Sequence, residues 1–214
     1  EGGRKHRGAL SASARIRRCR GCAGPSGTLQ AGVLSRLRLS RDLPPLAPER
    51  RQAAVAAIFG PGEELLMIRR AERPGDLWSG HMAFPGGKRE PDDQSLLHTA
   101  IRETQEEIGL SLHDAHFVGT LTELAPIRRK GPADLWVTPL VFQVDRWEEP
   151  VVSSAEVASV HRFAFRRFVE REGRGDFLYP WEGQQIRLPC VRLDDSFIWG
   201  LSLRMVDELL EQLS

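Results

Sequence analysis

Residues 84–110 read FPGGKREPDDQSLLHTAIRETQEEIGL, and the rest of the chain is organised around them. The stretch opens on a turn, Phe84-Pro85-Gly86-Gly87, in which two adjacent glycines let the backbone take positive φ or lie against a ligand with no Cβ in the way. A helix is predicted to follow. Pro91 is tolerated at or before a first turn, and Asp92 or Asp93 is the expected cap, because a short carboxylate accepts bonds from the free N–H groups there. Leu96, Leu97, Ala100, Ile101, Thr104 and Ile108 recur at spacings of three and four and predict one buried face. Gly109 is the expected stop. The other face is read as carrying Glu103, Glu106 and Glu107, at i, i+3 and i+4.

Those carboxylates are badly placed for a structural role. Like charges at these spacings repel by roughly 0.2–0.5 kcal/mol per pair, and the C-terminal end of a helix disfavours anions. Arg102 can pair with Glu106 but cannot neutralise all of them. A solvated acidic face is the plain alternative. Several acids beside an Arg, a terminating Gly and a Gly-Gly turn suit a hard divalent cation, which takes oxygen ligands at fixed geometry.

Arg102-Glu103-Thr104-Gln105-Glu106-Glu107-Ile108-Gly109-Leu110, with Gly87 upstream, resembles the Nudix box, the signature of Mg²⁺-dependent pyrophosphohydrolases. The spacing departs from the family's in one respect: Gly87 and Arg102 stand one residue further apart than usual, so that Asp93 or Gln94 falls where the family has a Glu. The resemblance implies an α/β fold, an α/β/α sandwich around a mixed central sheet. It implies Mg²⁺ or Mn²⁺ held by Glu103, Glu106, Glu107 and the Gly87 carbonyl, with Arg102 orienting a glutamate. It further implies a carboxylate ahead of a later apolar stretch, where Glu156-Val157 stands; Glu156 and Glu123 are both candidates for the base that takes a proton from the attacking water.

Leu65-Leu66-Met67-Ile68-Arg69-Arg70, then a loop, Gly80 and FPGG, with Ile198-Trp199-Gly200-Leu201 near the end, is similar to the coenzyme A pyrophosphatase branch. The resemblance implies a small-molecule nucleotide substrate, coenzyme A or a derivative. A diphosphate needs donors, which Arg supplies as a planar fork. The candidates are Arg70, Arg73, the Gly86 backbone, and Arg128, Arg129 and Lys130 in a polar loop spanning 125–133. An ADP-ribose or nucleotide-sugar pyrophosphatase is the rival among enzymes. A non-catalytic nucleotide-binding regulator is the rival outside them, although such proteins typically lose box glutamates.

The 214 residues carry a net charge of +1, which hides an asymmetry. Residues 1–50 hold eleven Lys/Arg against three acids, +8, leaving −7 for the remaining 164. Residues 1–27 are rich in Gly, Ser, Ala and Arg with almost no large apolar side chains, and are expected to be a disordered basic tail. No aromatic in that tail could stack on bases, so no nucleic-acid partner is expected. Residues 28–50 read as a short helix and a Pro-rich linker, and 51–214 as the catalytic domain. Cys19-x-x-Cys22 and a distant Cys190 make neither a zinc site nor a disulfide framework, which suits a reducing cytoplasm. No apolar run spans a membrane. Oligomeric state is left open, a homodimer being allowed.

Overall fold

Residues 53–59, AAVAAIF, are apolar at nearly every position, the pattern of a strand covered on both faces. They lie within β2 (Arg51–Gly60), the centre of the fold. The computed structural model describes residues 17–18 by backbone alone, and 32–74, 79–126 and 134–213 fully. The strands are β1 (Arg17–Arg18), β2, β3 (Glu64–Arg70), β4 (Met82–Ala83), β5 (Gly86–Lys88), β6 (Phe117–Thr120), β7 (Leu135–Gln143), β8 (Val157–Ala164), β9 (Arg174–Trp181), β10 (Gln184–Leu193) and β11 (Ser196–Trp199). The helices are α1 (Val33–Arg36), α2 (Leu96–Ile108), α3 (Arg166–Val169) and α4 (Gly200–Glu211).

The main sheet runs β1-β8-β3-β2-β7-β6 and is mixed: β2 and β7 are parallel, β2 and β3 antiparallel. Alternate residues of β2 and β3 enter opposite cores. Ala53, Ala57, Phe59, Leu65 and Met67 pack with Leu203, Met205, Val206 and Leu209 of α4, while Ala54, Ala56, Ile58, Leu66 and Ile68 pack with Leu96, Leu97, Ala100 and Ile108 of α2. The α/β/α sandwich implied by the resemblance is therefore the one the chain forms. A smaller antiparallel sheet, β11-β10-β9, lies ahead of α4.

One feature of the sheet builds the site. β2 pairs with β3 only over Ile58–Gly60, where the hairpin turns. Further along the strands diverge. The other end of β2 pairs with β5 through Ala53↔Lys88, Ala54↔Gly87 and Val55↔Gly86, while β3 pairs with β4. Phe84 and Pro85 bridge the opening, where the Pro85 carbonyl accepts from Ala56 N–H at 2.8 Å. The glycine pair is thus wedged into a split at the middle of the sheet, under α2.

One sequence expectation is corrected. The α2 helix starts later than the Asp92/Asp93 cap requires: Ser95 is the cap, its Oγ accepting from His98 N–H at 3.2 Å. Residues 32–50, read as a short helix and linker, include the helix α1 and pack on the sheet domain. Val33, Leu34 and Leu37 lie on one core and Leu43 and Leu46 on the other, and Ser40 bridges Thr120 of β6. Arg17–Arg18, within the expected tail, pairs in parallel with β8. The rest of residues 1–27, Cys19 and Cys22 included, lies outside the described residues, as do Arg128, Arg129 and Lys130. Among the described residues no helix is long and apolar enough to cross a membrane.

Candidate active site

Positions 96, 100, 103 and 107 lie on one stripe of a helix. In α2 that stripe faces the sheet, so the acids at its lower end are carried inward with the leucine and alanine above them. Glu107 is 5% exposed. Its Oε2 accepts the Gly86 N–H at 2.9 Å. The Glu103 carboxylate lies over the next residue: a Cβ built on Gly87 would stand 2.4 Å from its Oε1. Both glycines are required for this approach. At Gly86, φ is +146°, and a Cβ would stand 2.2 Å from the Ala54 carbonyl oxygen. Glu106 does not join them. It points out of the helix at 58% side-chain exposure, and Arg102 Nη1 donates to it at 3.2 Å.

Arg102 is the hub that holds this geometry. Its Nε and Nη2 reach Asp93 at 3.1 and 2.9 Å, Nη2 also donates to the Lys88 carbonyl at 3.1 Å, and Nη1 faces Glu103 at 3.1 Å. Asp93 is 7% exposed and also accepts from Thr99 Oγ1 and Glu90 N–H. Burial alone would raise its pKa, but these bonds, Arg102 foremost, hold the carboxyl down at about 2. Asp93 is therefore the anchor sequence reasoning missed. It is one of the two residues, with Gln94, that fall where the resembled box has a Glu, and in this chain it grips the arginine from the helix entry. Asp93→Asn is expected to cost about 2 kcal/mol by leaving a half-buried guanidinium short of its partner, read as a lowered urea midpoint at pH 7. A carboxylate depressed by folding contributes stability above its ordinary pKa. The contribution is lost as pH falls from about 4 toward about 2, so the two proteins should converge in stability at the acid end.

The electrostatics of the inward pair are strained in the opposite sense. Burial pushes Glu107 up to about 7; the Gly86 N–H and Arg70 oppose this, while Glu103 and Glu156 add to it. Burial likewise raises Glu103, against the pull of Arg102. A buried carboxylate with a half-buried one close enough to raise its pKa is costly unless a cation joins them. Among the described residues no group of three His, Cys, Asp or Glu side chains could hold an ion. A donor set of two carboxylates still fits a small hard cation, which commonly takes one or two carboxylates and completes its shell with water and substrate phosphate oxygens.

The other named residues group around this pair. Arg70 and Glu156 are near enough to Glu107 to shift its charge state. Arg73 Nη1 meets Glu156 Oε1 at 3.1 Å, both about half exposed, so this arginine and acid neutralise each other at the rim. Glu123 lies along the strand row Thr138–Ala54–Gly87; it accepts from Thr138 Oγ1 at 3.3 Å and pairs with Arg50 at 3.3 Å. The end of α2 is closed by residues 151–153: Val151 N–H donates to the Ile108 carbonyl and Ser153 N–H to that of Glu107. These carbonyls would otherwise be orphaned beside the acids.

The profile of the NUDIX domain family matches residues 49–179. The chain is 32% identical over 169 residues to the "Uncharacterized Nudix hydrolase NudL" proteins of Yersinia pestis (strain Pestoides F) and Yersinia pseudotuberculosis serotype O:1b, covering 78% of this chain and 82% of each relative. Among solved structures it is similar in fold to the NUDIX domain of Shewanella oneidensis NrtR complexed with ADP ribose. The TM-score is 0.52 at 14% identity, covering 77% of this chain and 89% of that one. A MutT/nudix family protein from Enterococcus faecalis matches with TM-score 0.50 at 16% identity, over 78% of this chain and 63% of that one.

Proposed function

This chain belongs to the NUDIX domain family and is a hydrolase, and from that premise we propose that it cleaves the diphosphate of a nucleoside diphosphate linked to another moiety. The first substrate is coenzyme A or a derivative, cut to 3′,5′-ADP and 4′-phosphopantetheine. The observation that carries the diphosphatase reading is the inward pair Glu103 and Glu107 against Gly86 and Gly87. The coenzyme A reading is supported by the resemblance of the Leu65–Arg70 strand, Gly80, FPGG and IWGL to that branch.

Nudix hydrolases generally use divalent metal ions. Glu103 and Glu107, with the Gly87 carbonyl, would hold Mg²⁺ or Mn²⁺ here, and the ion when bound would screen the diphosphate from the acidic helix and make water acidic enough to attack phosphorus. The chain's own part is positional. Arg102, anchored by Asp93, fixes the Glu103 carboxylate. The Gly86 N–H fixes that of Glu107. Gly87, lacking a side chain, leaves the backbone open to a diphosphate. Arg70 supplies a cation beside the pair, and Glu156 or Glu123 takes a proton from the attacking water. The exposed Glu106 is assigned a supporting role, pairing with Arg102 and reaching the cation only if its side chain turns.

The ADP ribose bound by the Shewanella domain defines the rival substrate class. A panel of coenzyme A, ADP-ribose, nucleotide sugars and dinucleotides, analysed by product mass with Mg²⁺, Mn²⁺ or EDTA, separates the two. Cleavage of coenzyme A that stops in EDTA and resumes on adding Mg²⁺ is the expected result. No cleavage of coenzyme A at any metal concentration overturns the first substrate, and activity in EDTA overturns the metal assignment.

A further inference from the structure

Directly after the glycine pair the chain passes from the acidic site into a basic cleft. Arg50, Arg51, Gln52, Lys88 and Arg89 line a cavity of about 190 Å³. Its floor is fixed: Gln52 is buried, its side chain accepting from Ala47 N–H at 2.9 Å and donating to the Pro45 carbonyl at 3.1 Å. One wall is fixed as well, since the Arg50 guanidinium stacks on Trp136 at 4.3 Å.

The charge in this cleft is not balanced. Arg50 pairs with Glu123 at 3.3 Å and Arg51 with Asp134 at 2.9 Å. Among the described residues Lys88 and Arg89 meet no carboxylate, and the buried Nε–H of Arg89 meets no acceptor. A buried donor left unmade is costly and calls for an explanation. Two cations in excess match the charge of a phosphate monoester, which approaches −2 at neutral pH. The cleft is also close to the chemistry. Successive Cα atoms are about 3.8 Å apart, so Gly87 and Arg89 lie within about 8 Å, and the Lys88 carbonyl is itself held by Arg102.

We infer that this cleft binds a second phosphate of the substrate, a monoester on the sugar of the nucleoside half, while the diphosphate lies against Gly86 and Gly87. The inference rests on the diphosphatase reading and deepens it. It makes the chain selective for a nucleotide that carries a sugar phosphate besides its diphosphate, as coenzyme A does and its 3′-dephospho form and ADP-ribose do not. Arg89 and Lys88 supply the direct contacts, and Arg50 and Arg51 the surrounding positive field.

The test compares kcat/KM for coenzyme A and 3′-dephospho-coenzyme A in the wild type and in the Lys88→Gln/Arg89→Gln double variant, with Mg²⁺ present. The wild type is expected to favour the 3′-phosphorylated substrate by about tenfold or more. In the double variant the ratio should fall toward one, mainly through KM. A wild type that turns over both substrates equally overturns the inference, and so does a variant that loses both in proportion. If the wild type cleaves neither, the substrate reading fails, and binding decides the cleft separately. Calorimetry with 3′,5′-ADP and 5′-AMP should then show about tenfold tighter binding of the bisphosphate, lost in the double variant. Equal binding of the two overturns the cleft whatever the enzyme cleaves. Arg51→Gln, at an exposed position already paired with Asp134, should lower the same preference by a smaller factor.

Discussion

Glu107→Gln is expected to lower kcat by about a hundredfold to a thousandfold with the fold intact. The amide is nearly isosteric and can still accept the Gly86 N–H through its oxygen, so packing is preserved. What is lost is the anion that neutralises the cation, an interaction of the size seen when one preorganised charged group is removed from an active site. Stability should carry a second signature. Folding raises the Glu107 carboxyl from its usual 4.5 to about 7, so the folded state holds the proton more tightly than the unfolded one. In EDTA the wild type should therefore lose stability as pH rises between about 4.5 and about 7, by an amount on the order of 3 kcal/mol. The Gln variant has no such proton and should show a flatter curve, and it should be the more stable of the two at pH 8. Mg²⁺ should flatten the wild-type curve as well, since a cation takes the proton's place. Thermal melts across pH, with and without Mg²⁺, measure all of this. Unchanged turnover in the variant would remove Glu107 from the site.

The second large effect separates two neighbouring glycines. Gly86→Ala should destabilise the protein by about 3 kcal/mol or more, because the new methyl meets backbone, the Ala54 carbonyl oxygen at 2.2 Å and the Val55 Cα at 2.5 Å, at a φ of +146°. Nothing there can move without shifting β2. Gly87→Ala meets only the end of a side chain, the Glu103 carboxylate at 2.4 to 2.6 Å. The carboxylate can swing away, so stability should change by less than about 1 kcal/mol. Turnover should fall by roughly a hundredfold, the scale on which a displacement of about an ångström acts in catalysis. Urea titration and steady-state kinetics on the two variants test the contrast; equal losses in both quantities would mean that Gly87 is structural too.

Much of the fold was legible because local patterns were strong. The apolar runs at 53–59 and 65–68 lie within β2 (Arg51–Gly60) and β3 (Glu64–Arg70), the two strands at the centre of the fold. Gly109 closes α2 in the left-handed conformation its position suggests, at φ +65°. The helix start was misread because both aspartates are plausible caps by residue type, whereas Ser95 takes the place once Asp93 is drawn to Arg102. The inward turn of Glu103 was readable in principle, at a spacing of seven from Leu96. The outward turn of Glu106 was not, since adjacent acids in a sequence look alike.

The resemblance of one compact motif implied the family and the sandwich, and residue types and spacing gave the helix with its acids, because hydrophobic period, turn glycines and a short motif are local properties that survive without neighbours. Which carboxylates face inward, the service of Asp93 to Arg102, and the gathering of Arg50, Arg51, Lys88 and Arg89 into one cleft were decided by the split between β2 and β3. That split brings residues far apart in the chain within reach of one another, and burial and charge pairing at such distances depend on the whole sheet, not on any stretch of it.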